Sequence, residues 1–295
     1  LIDEVHHAAA GTYRKILDHF RPRFLLGMTA TPERTDGENI FDLFGNNVAY
    51  EIRLRQALDA GLLCDFHYYG VHDCVDQPID DGPETTGPLR DPTLTQRRKV
   101  PAMLSILTND DRVSYIIDKL DLYGQAGVRV RGLVFCSRVE EAEALSDAFN
   151  KRVNRATGKR YRTTSLSGSS SRDLRSEGIR ALDSGDLEYI FTVDLFNEGI
   201  DIPHVNQIVM LRQTQSSIIF TQQLGRGLRR VPGKDCVTVI DFIGNYANNY
   251  LIPLALYGNT GDRDVARRNM QIDMVGGCSV SFDPIARERV LRSLD

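Results

Sequence analysis

The chain has 295 residues, 41% of them hydrophobic and 26% charged, the balance of a soluble globular protein rather than a fibrous or disordered one. No apolar run approaches the ~20 residues a membrane span needs, and the first residues do not read as a signal peptide, so no membrane role is expected. A net charge of -4 offers nucleic acid no global attraction, and the five scattered cysteines, without a C-x-x-C pair, speak against a zinc module or disulfide framework and for a reducing, cytoplasmic setting.

Short apolar runs alternate with longer amphipathic stretches along the chain, the pattern of parallel strands joined by helical crossovers and hence of an α/β fold. Strands are expected over 23–29, 66–71, 132–136, 189–193, 207–211 and 236–240. Helices are expected over 13–20, 53–60, 112–123, 140–153, 174–182 and 217–228. The opening residues Leu1, Ile2, Asp3 and Glu4 read as the end of a buried strand whose apolar body is missing; a truncated element is the expectation, a divergent terminus the alternative. Gly61, Leu62 and Leu63 lie between a helix and a strand and suggest a hinge near 61–66. Residues 73–95 hold Pro78, Pro83, Pro88 and Pro92 among acidic and small side chains, which reads as a long surface insertion.

Chemistry concentrates at the ends of the expected strands, where open α/β sheets present ligand-binding groups. Asp3 can hold Mg²⁺ there, directly or through water, while Glu4 orients and deprotonates an attacking water. An isolated Asp-Glu pair can equally be solvated surface, and His6 and His7 by themselves can be structural. Strand 23–29 runs into Thr29, Ala30, Thr31 and Pro32. If it neighbours the first strand, the two hydroxyls lie beside Asp3 and Glu4 and can relay a nucleotide state; otherwise they cap the next helix. Further along, Gly199 permits a close backbone approach and Asp201 can accept from a ribose hydroxyl. Thr192 and Asn197 suit hydrogen bonds to a phosphate backbone, contacts that position a strand without reading it. Arg226 and Arg229, three apart, would share a helix face and suit a triphosphate, unless they are a solvated helix end complementing the dipole. Six basic residues between Lys151 and Arg162 form a candidate phosphate-contacting surface or a solvated loop.

Taken in order, D-E-x-H at 3–6, T-A-T-P at 29–32, T-x-x-x-x-N-E-G-x-D-I-P at 192–203 and Q-x-x-G-R-x-x-R at 222–229 resemble motifs II, III, V and VI of the superfamily 2 helicase and translocase core. Residues 135–138, F-C-S-R, resemble motif IV. The resemblance covers roughly residues 1 to 245. It implies RecA-like parallel sheets flanked by helices, with ATP between two lobes and nucleic acid lying across both. Residues 1–62 would be the C-terminal remnant of the first, ATP-binding lobe. Residues 63–255 would form a complete second lobe with the insertion, and 256–295 would begin an accessory region or pack as a helix on the second lobe.

Carried over to this chain, the resemblance gives Asp3 the role of Mg²⁺ ligand and Glu4 that of general base. His6, Thr29 and Thr31 would couple the nucleotide site to the interlobe face, and Gly199 and Asp201 would contact nucleotide. Gln222, Arg226 and Arg229 would complete the ATP site. Ser137, Arg138, Ser167, Gly168 and Thr192 fall where the family touches the nucleic-acid backbone. The family's phosphate loop, G-x-x-x-x-G-K-[ST], is absent: after the two Gly-Lys pairs, at Gly158 and Gly233, no Ser or Thr follows. The chain alone is therefore expected not to hydrolyse ATP. The tail resembles bacterial restriction-type and repair-type translocases, some of which add nuclease or other accessory domains, and favours DNA as the partner. An RNA helicase of the same superfamily and a non-catalytic nucleic-acid-binding module are the alternatives.

Overall fold

Runs such as GLVF at 132–135, YIFT at 189–192 and QIVM at 207–210 are buried at every position, as strands covered on both faces must be. A computed structural model describes residues 1–3, 5, 11–20, 22–29, 40–74, 104–193, 195, 202–213, 216–257, 263–270 and 277–295. In it β1 (Asp65–His72), β2 (Gly132–Phe135), β3 (Thr163–Leu166), β4 (Tyr189–Thr192), β5 (Gln207–Met210), β6 (Cys236–Ile243) and β7 (Ser279–Phe282) form one sheet. The order is β3-β4-β2-β5-β6-β1-β7, and every neighbouring pair is parallel.

The helices are α1 (Gly11–Phe20), α2 (Leu54–Asp59), α3 (Asp110–Tyr123), α4 (Val139–Asn150), α5 (Arg172–Ser184), α6 (Ser217–Gly225), α7 (Leu251–Tyr257), α8 (Arg263–Asn269) and α9 (Pro284–Ser293). One sheet face, carrying Leu133, Phe135, Ile190, Ile208 and Val239, packs on Leu182 of α5 and on Phe220 and Leu224 of α6. The other, carrying Val134, Phe191, Val209 and Ile240, packs on Val113, Ile116 and Leu120 of α3 and on Leu145 and Phe149 of α4. Local chemistry sets the helix ends. The Asn109, Ser171 and Asp283 side chains each accept a first-turn N–H, and Gly185 closes α5 at φ +83°, where a side chain would be strained.

Five of the six expected strands form within a residue or three of their expected limits; the sixth does not. Residues 23–29 make only a parallel bridge, Ile2 to Gly27, backed by backbone hydrogen bonds of 2.8–2.9 Å from Ile2, Met28 and Val5. Gly27 is required there, because a Cβ would come within 2.5 Å of the Phe44 ring and 2.9 Å of Val5. β3 and β7 carry few large apolar residues and escaped the apolar-run reading. Residues 279–282 pair with β1, and Ala286 and Val290 of α9 enter the core, so the tail extends this sheet rather than leaving it. Leu58 of α2 lies in the same core, which ties α2 to the sheet. The segment around the expected hinge is likewise anchored: Cys64 is buried and its N–H donates to the Leu228 carbonyl at 2.8 Å. Among the described residues no helix is long and apolar enough to cross a membrane.

Candidate functional site

The parallel bridge brings Asp3 and Thr29 to the same strand-end edge, Asp3 exposed and Thr29 half-buried. An exposed carboxylate at a strand end is the hard oxygen donor Mg²⁺ accepts, with water and phosphate oxygens filling the remaining positions. No cluster of three metal-ligating side chains occurs among the described residues, which leave out Glu4 and His6 beside Asp3. Glu4, His6, Thr31, Asn197, Gly199 and Asp201 lie outside the described residues.

In the sheet, strand register does what the separate motifs cannot show by themselves. Leu166, Thr192 and Phe135 are in one row across β3, β4 and β2. Ser167 follows that row by one residue and Ser137 by two, so the ends of β3 and β2 flank Thr192 at the C-terminal edge. The Thr192 hydroxyl is fully buried and has no hydrogen-bond partner among the described residues, while its carbonyl accepts from the Cys136 N–H at 2.8 Å. The Ser167 turn is built by short polar contacts: its N–H donates to Ser170 Oγ at 3.0 Å and its hydroxyl meets Ser169 Oγ at 2.8 Å. Arg175 donates to the Gly168 carbonyl. Burial pushes the Cys136 thiol well above its ordinary range, which favours the neutral form.

Arg226 and Arg229 are not on one helix face. Helix α6 ends at Gly225, and the chain tightens through Gly227 N–H to Leu224 O (3.1 Å) and Leu228 N–H to Gly225 O (3.3 Å). Packing forces the turn. A Cβ on Gly227 would meet Val237 at 2.8 Å, and Leu228 is drawn into the core, which leaves Arg229 exposed beyond the helix. Gln222 stays on the helix, buried, with its amide nitrogen unpartnered among the described residues. Beneath α6, Tyr68 packs against Phe220 and donates to Asp241 Oδ2 at 2.6 Å. Burial pushes the Asp241 carboxyl up to about 7 against the pull of that hydrogen bond.

Two features escaped the sequence reading. The first is a buried ion triad. Arg112 Nε and Nη2 grip Asp73 at 3.2 and 2.9 Å, and Nη1 donates to Glu141 Oε1 at 2.9 Å. Burial raises the Glu141 pKa despite the opposing pull of Arg112. The available signal was a charge in phase with each helix's apolar stripe, Arg112 with Ile116 and Leu120, Glu141 with Leu145 and Phe149. The second is that two arginines of the basic surface near 151–162 are paired with carboxylates of α3, and a third bonds a backbone carbonyl. Arg152 pairs with Asp110 at 2.8 Å, Arg155 with Asp118 at 2.7 Å and Asp121 at 3.3 Å, and Arg162 donates to the Gly185 carbonyl.

Residues 112–231 match the Helicase conserved C-terminal domain family, and residues 1–34 the Type III restriction enzyme, res subunit family. The chain is 26% identical over 252 residues to IRC3 of Saccharomyces cerevisiae, named as an ATP-dependent helicase, covering 83% of this chain and 34% of that protein. It is 24% identical to the Type I restriction enzyme EcoAI endonuclease subunit of Escherichia coli, covering 82% of this chain and 31% of that one. Among solved structures, the ATP-dependent Type ISP restriction-modification enzyme LlaBIII bound to DNA matches 99% of this chain with a TM-score of 0.61 at 16% identity, over 22% of its own length. The chain thus spans about a third of the length of these two curated relatives. Together with the all-parallel α/β sheet and the ordered motifs, these family matches and relatives support a superfamily 2 helicase core of a restriction- and repair-like group.

Proposed function

We propose that the chain is part of an ATP-dependent DNA helicase or translocase, with Ser137, Arg138, Ser167, Gly168, Thr192 and Asn197 contacting the nucleic-acid backbone. The observation that carries the reading is the strand-edge row. Thr192 ends β4 between the ends of β3 and β2, which Ser167 and Ser137 follow within two residues, and its hydroxyl is buried without a described partner. A buried hydroxyl left unpaired is unfavourable by about 1–3 kcal/mol, which a phosphate oxygen would recover. DNA is favoured as the partner because the restriction-type relatives include a structure bound to DNA.

In this reading the residues before α2 contribute part of an ATP-binding lobe and the sheet is the second lobe. The packing of Leu58 and Val290 supports extending that second lobe over 54–293. Asp3 binds Mg²⁺ and Glu4 is the base. His6, Thr29 and Thr31 relay the nucleotide state, Gly199 and Asp201 contact nucleotide, and Gln222, Arg226 and Arg229 complete the site with ATP. Exposed on an irregular turn, Arg229 suits a phosphate arriving from outside the lobe. Lacking a phosphate loop, residues 1–295 show no nucleic-acid-stimulated ATPase, and turnover by the purified chain would refute that. In a longer protein supplying the loop, Glu4→Gln abolishes hydrolysis and spares ATP binding, since the base is lost and the metal ligand stays. Direct binding tests the partner: a single-stranded DNA oligonucleotide should bind with strong salt dependence and outcompete RNA of the same length. Preference for RNA would move the chain to the RNA-helicase reading, and no binding would sink both.

A further inference from the structure

The ion triad does more than fill the interior. Glu141 stands in the first turn of α4, whose N-cap, Arg138, makes no side-chain capping hydrogen bond. Its two carboxylate oxygens serve two different donors. Oε1 accepts from Arg112 Nη1 at 2.9 Å and Oε2 accepts from the Ser137 backbone N–H at 2.9 Å. Arg112 cannot swing, because Asp73 holds Nε and Nη2, and Nη1 also donates to the Leu107 carbonyl at 2.7 Å. Asp73 is held in turn: its N–H donates to the Ile243 carbonyl at 3.0 Å and its own carbonyl accepts from Arg289 at 3.1 Å. An unbroken chain of hydrogen bonds thus runs from β6 and α9 through Asp73, Arg112 and Glu141 to the turn after β2. Arg112 also joins the residues on either side of the 75–103 segment, Asp73 before it and Leu107 after it.

A buried charge triad is a poor source of net stability, because desolvation offsets most of the attraction and well-packed apolar side chains often serve as well. What this one supplies is geometry. We propose that Glu141, locked by Arg112 and Asp73, is a positioning residue for nucleic-acid binding: it fixes the Ser137–Arg138 turn so that Arg138 meets the phosphate backbone. The proposal rests on the assignment of Ser137 and Arg138 as backbone contacts made above. Glutamine at 141 tests it sharply. Glutamine has one oxygen and one NH₂ where glutamate has two acceptors, so either Arg112 or Ser137 is left facing a donor while the shape is kept.

The experiment is a double-mutant cycle on the 295-residue chain, read by fluorescence anisotropy of a labelled oligothymidylate between about 50 and 200 mM salt. Arg138→Ala should weaken binding and lower the slope of log K against log salt by ~0.7, one phosphate contact on a single strand. Glu141→Gln should weaken binding by about tenfold with the same fall in slope, and the double variant should be no weaker than Arg138→Ala alone. Additive losses, or an unchanged slope in Glu141→Gln, would overturn the proposal. If wild type fails to bind, the functional reading itself fails, a separate result. Should Glu141→Gln not fold, Arg112→Lys keeps the charge and loosens the grip on Glu141. It must then show the same non-additive loss, and additivity there would overturn the proposal equally.

Discussion

Two regions of this molecule put chemistry at strand ends, and they do so on different foundations. Around Asp3, a single parallel bridge is supported by a cluster in which Val5 and Ile40 are the buried members, while Phe20, Phe24 and Leu1 are each more than 70% exposed. Around Ser137, Ser167 and Thr192, seven parallel strands are covered on both faces by large apolar clusters. Apolar burial is the main favourable contribution to folding, and ordering each residue opposes it by about 1–2 kcal/mol. The sheet therefore holds its edge groups to a fixed geometry with its own interior. Among the described residues of 1–44, a few backbone hydrogen bonds and a small cluster around Val5 and Ile40 hold theirs. Cooperative stability should report the sheet and be nearly blind to the N-terminal segment.

The strongest way to break that contrast is to attack the sheet's interior charge. Arg112→Leu leaves Asp73 and Glu141 buried together without their shared cation. A buried charge stripped of its partner costs about 3–5 kcal/mol, and two carboxylates left facing each other put this variant at the top of that range. Urea unfolding should show a midpoint shift to match, or no folded protein at all. A shift under 1 kcal/mol would mean the triad is wet and the interior is not what the packing indicates.

Much of this was legible beforehand because each signal was local. The runs at 132–135, 189–192 and 207–210 are apolar throughout, which only a doubly covered strand tolerates, and the motif spacings located the edge residues. What could not be read depended on register and on distant partners. That Thr192 stands between Ser167 and Ser137 follows from pairing β4 with both β3 and β2, which no single segment encodes. Arg226 and Arg229 misled because R-x-x-R spacing presumes a continuing helix, whereas the approach of Gly227 to Val237 ends it. The pairing of Arg152 and Arg155 could not be read because their partners Asp110, Asp118 and Asp121 are on α3, some thirty or forty residues earlier.

Asp241 sharpens the comparison through pH. Its carboxyl is fully buried in the sheet and raised to about 7, against about 4 in an unfolded chain. Between those values the folded state holds a proton that the unfolded state has released, so stability falls as pH rises from about 4 through 7. At about 1.4 kcal/mol per unit, this group alone should remove on the order of 3 kcal/mol between pH 5 and pH 8. Asp241→Asn keeps an acceptor for the Tyr68 hydroxyl and cannot ionise, so it should unfold at higher temperature than wild type at pH 8, with the gap narrowing toward pH 5. A gap that does not change with pH would show that the carboxyl is not the titrating group.

A matched pair of conservative truncations then measures the two foundations directly. Ile208→Val in the sheet should cost about 1 kcal/mol, the usual loss for one buried methylene. Val5→Ala removes more volume from the N-terminal cluster, yet should leave the cooperative transition in place if that small cluster opens before the sheet does. Equal shifts from the two variants would show that both regions unfold as one unit and would dissolve the contrast.

The smallest effect is expected at Arg155, where the sequence suggested a phosphate contact. Its guanidinium lies between two carboxylates, Asp118 at 2.7 Å and Asp121 at 3.3 Å, all at the surface. Arg155→Ala should leave the thermal midpoint where it is, because exposed pairs of this kind are screened and contribute little. It should also leave the salt slope of DNA binding unchanged, because a cation already matched by two anions has few counterions to displace from a phosphate backbone. A slope lowered as far as in Arg138→Ala would mean that DNA strips Arg155 from its carboxylates, and the binding surface would then extend from the strand edge across α3 and the 151–162 loop.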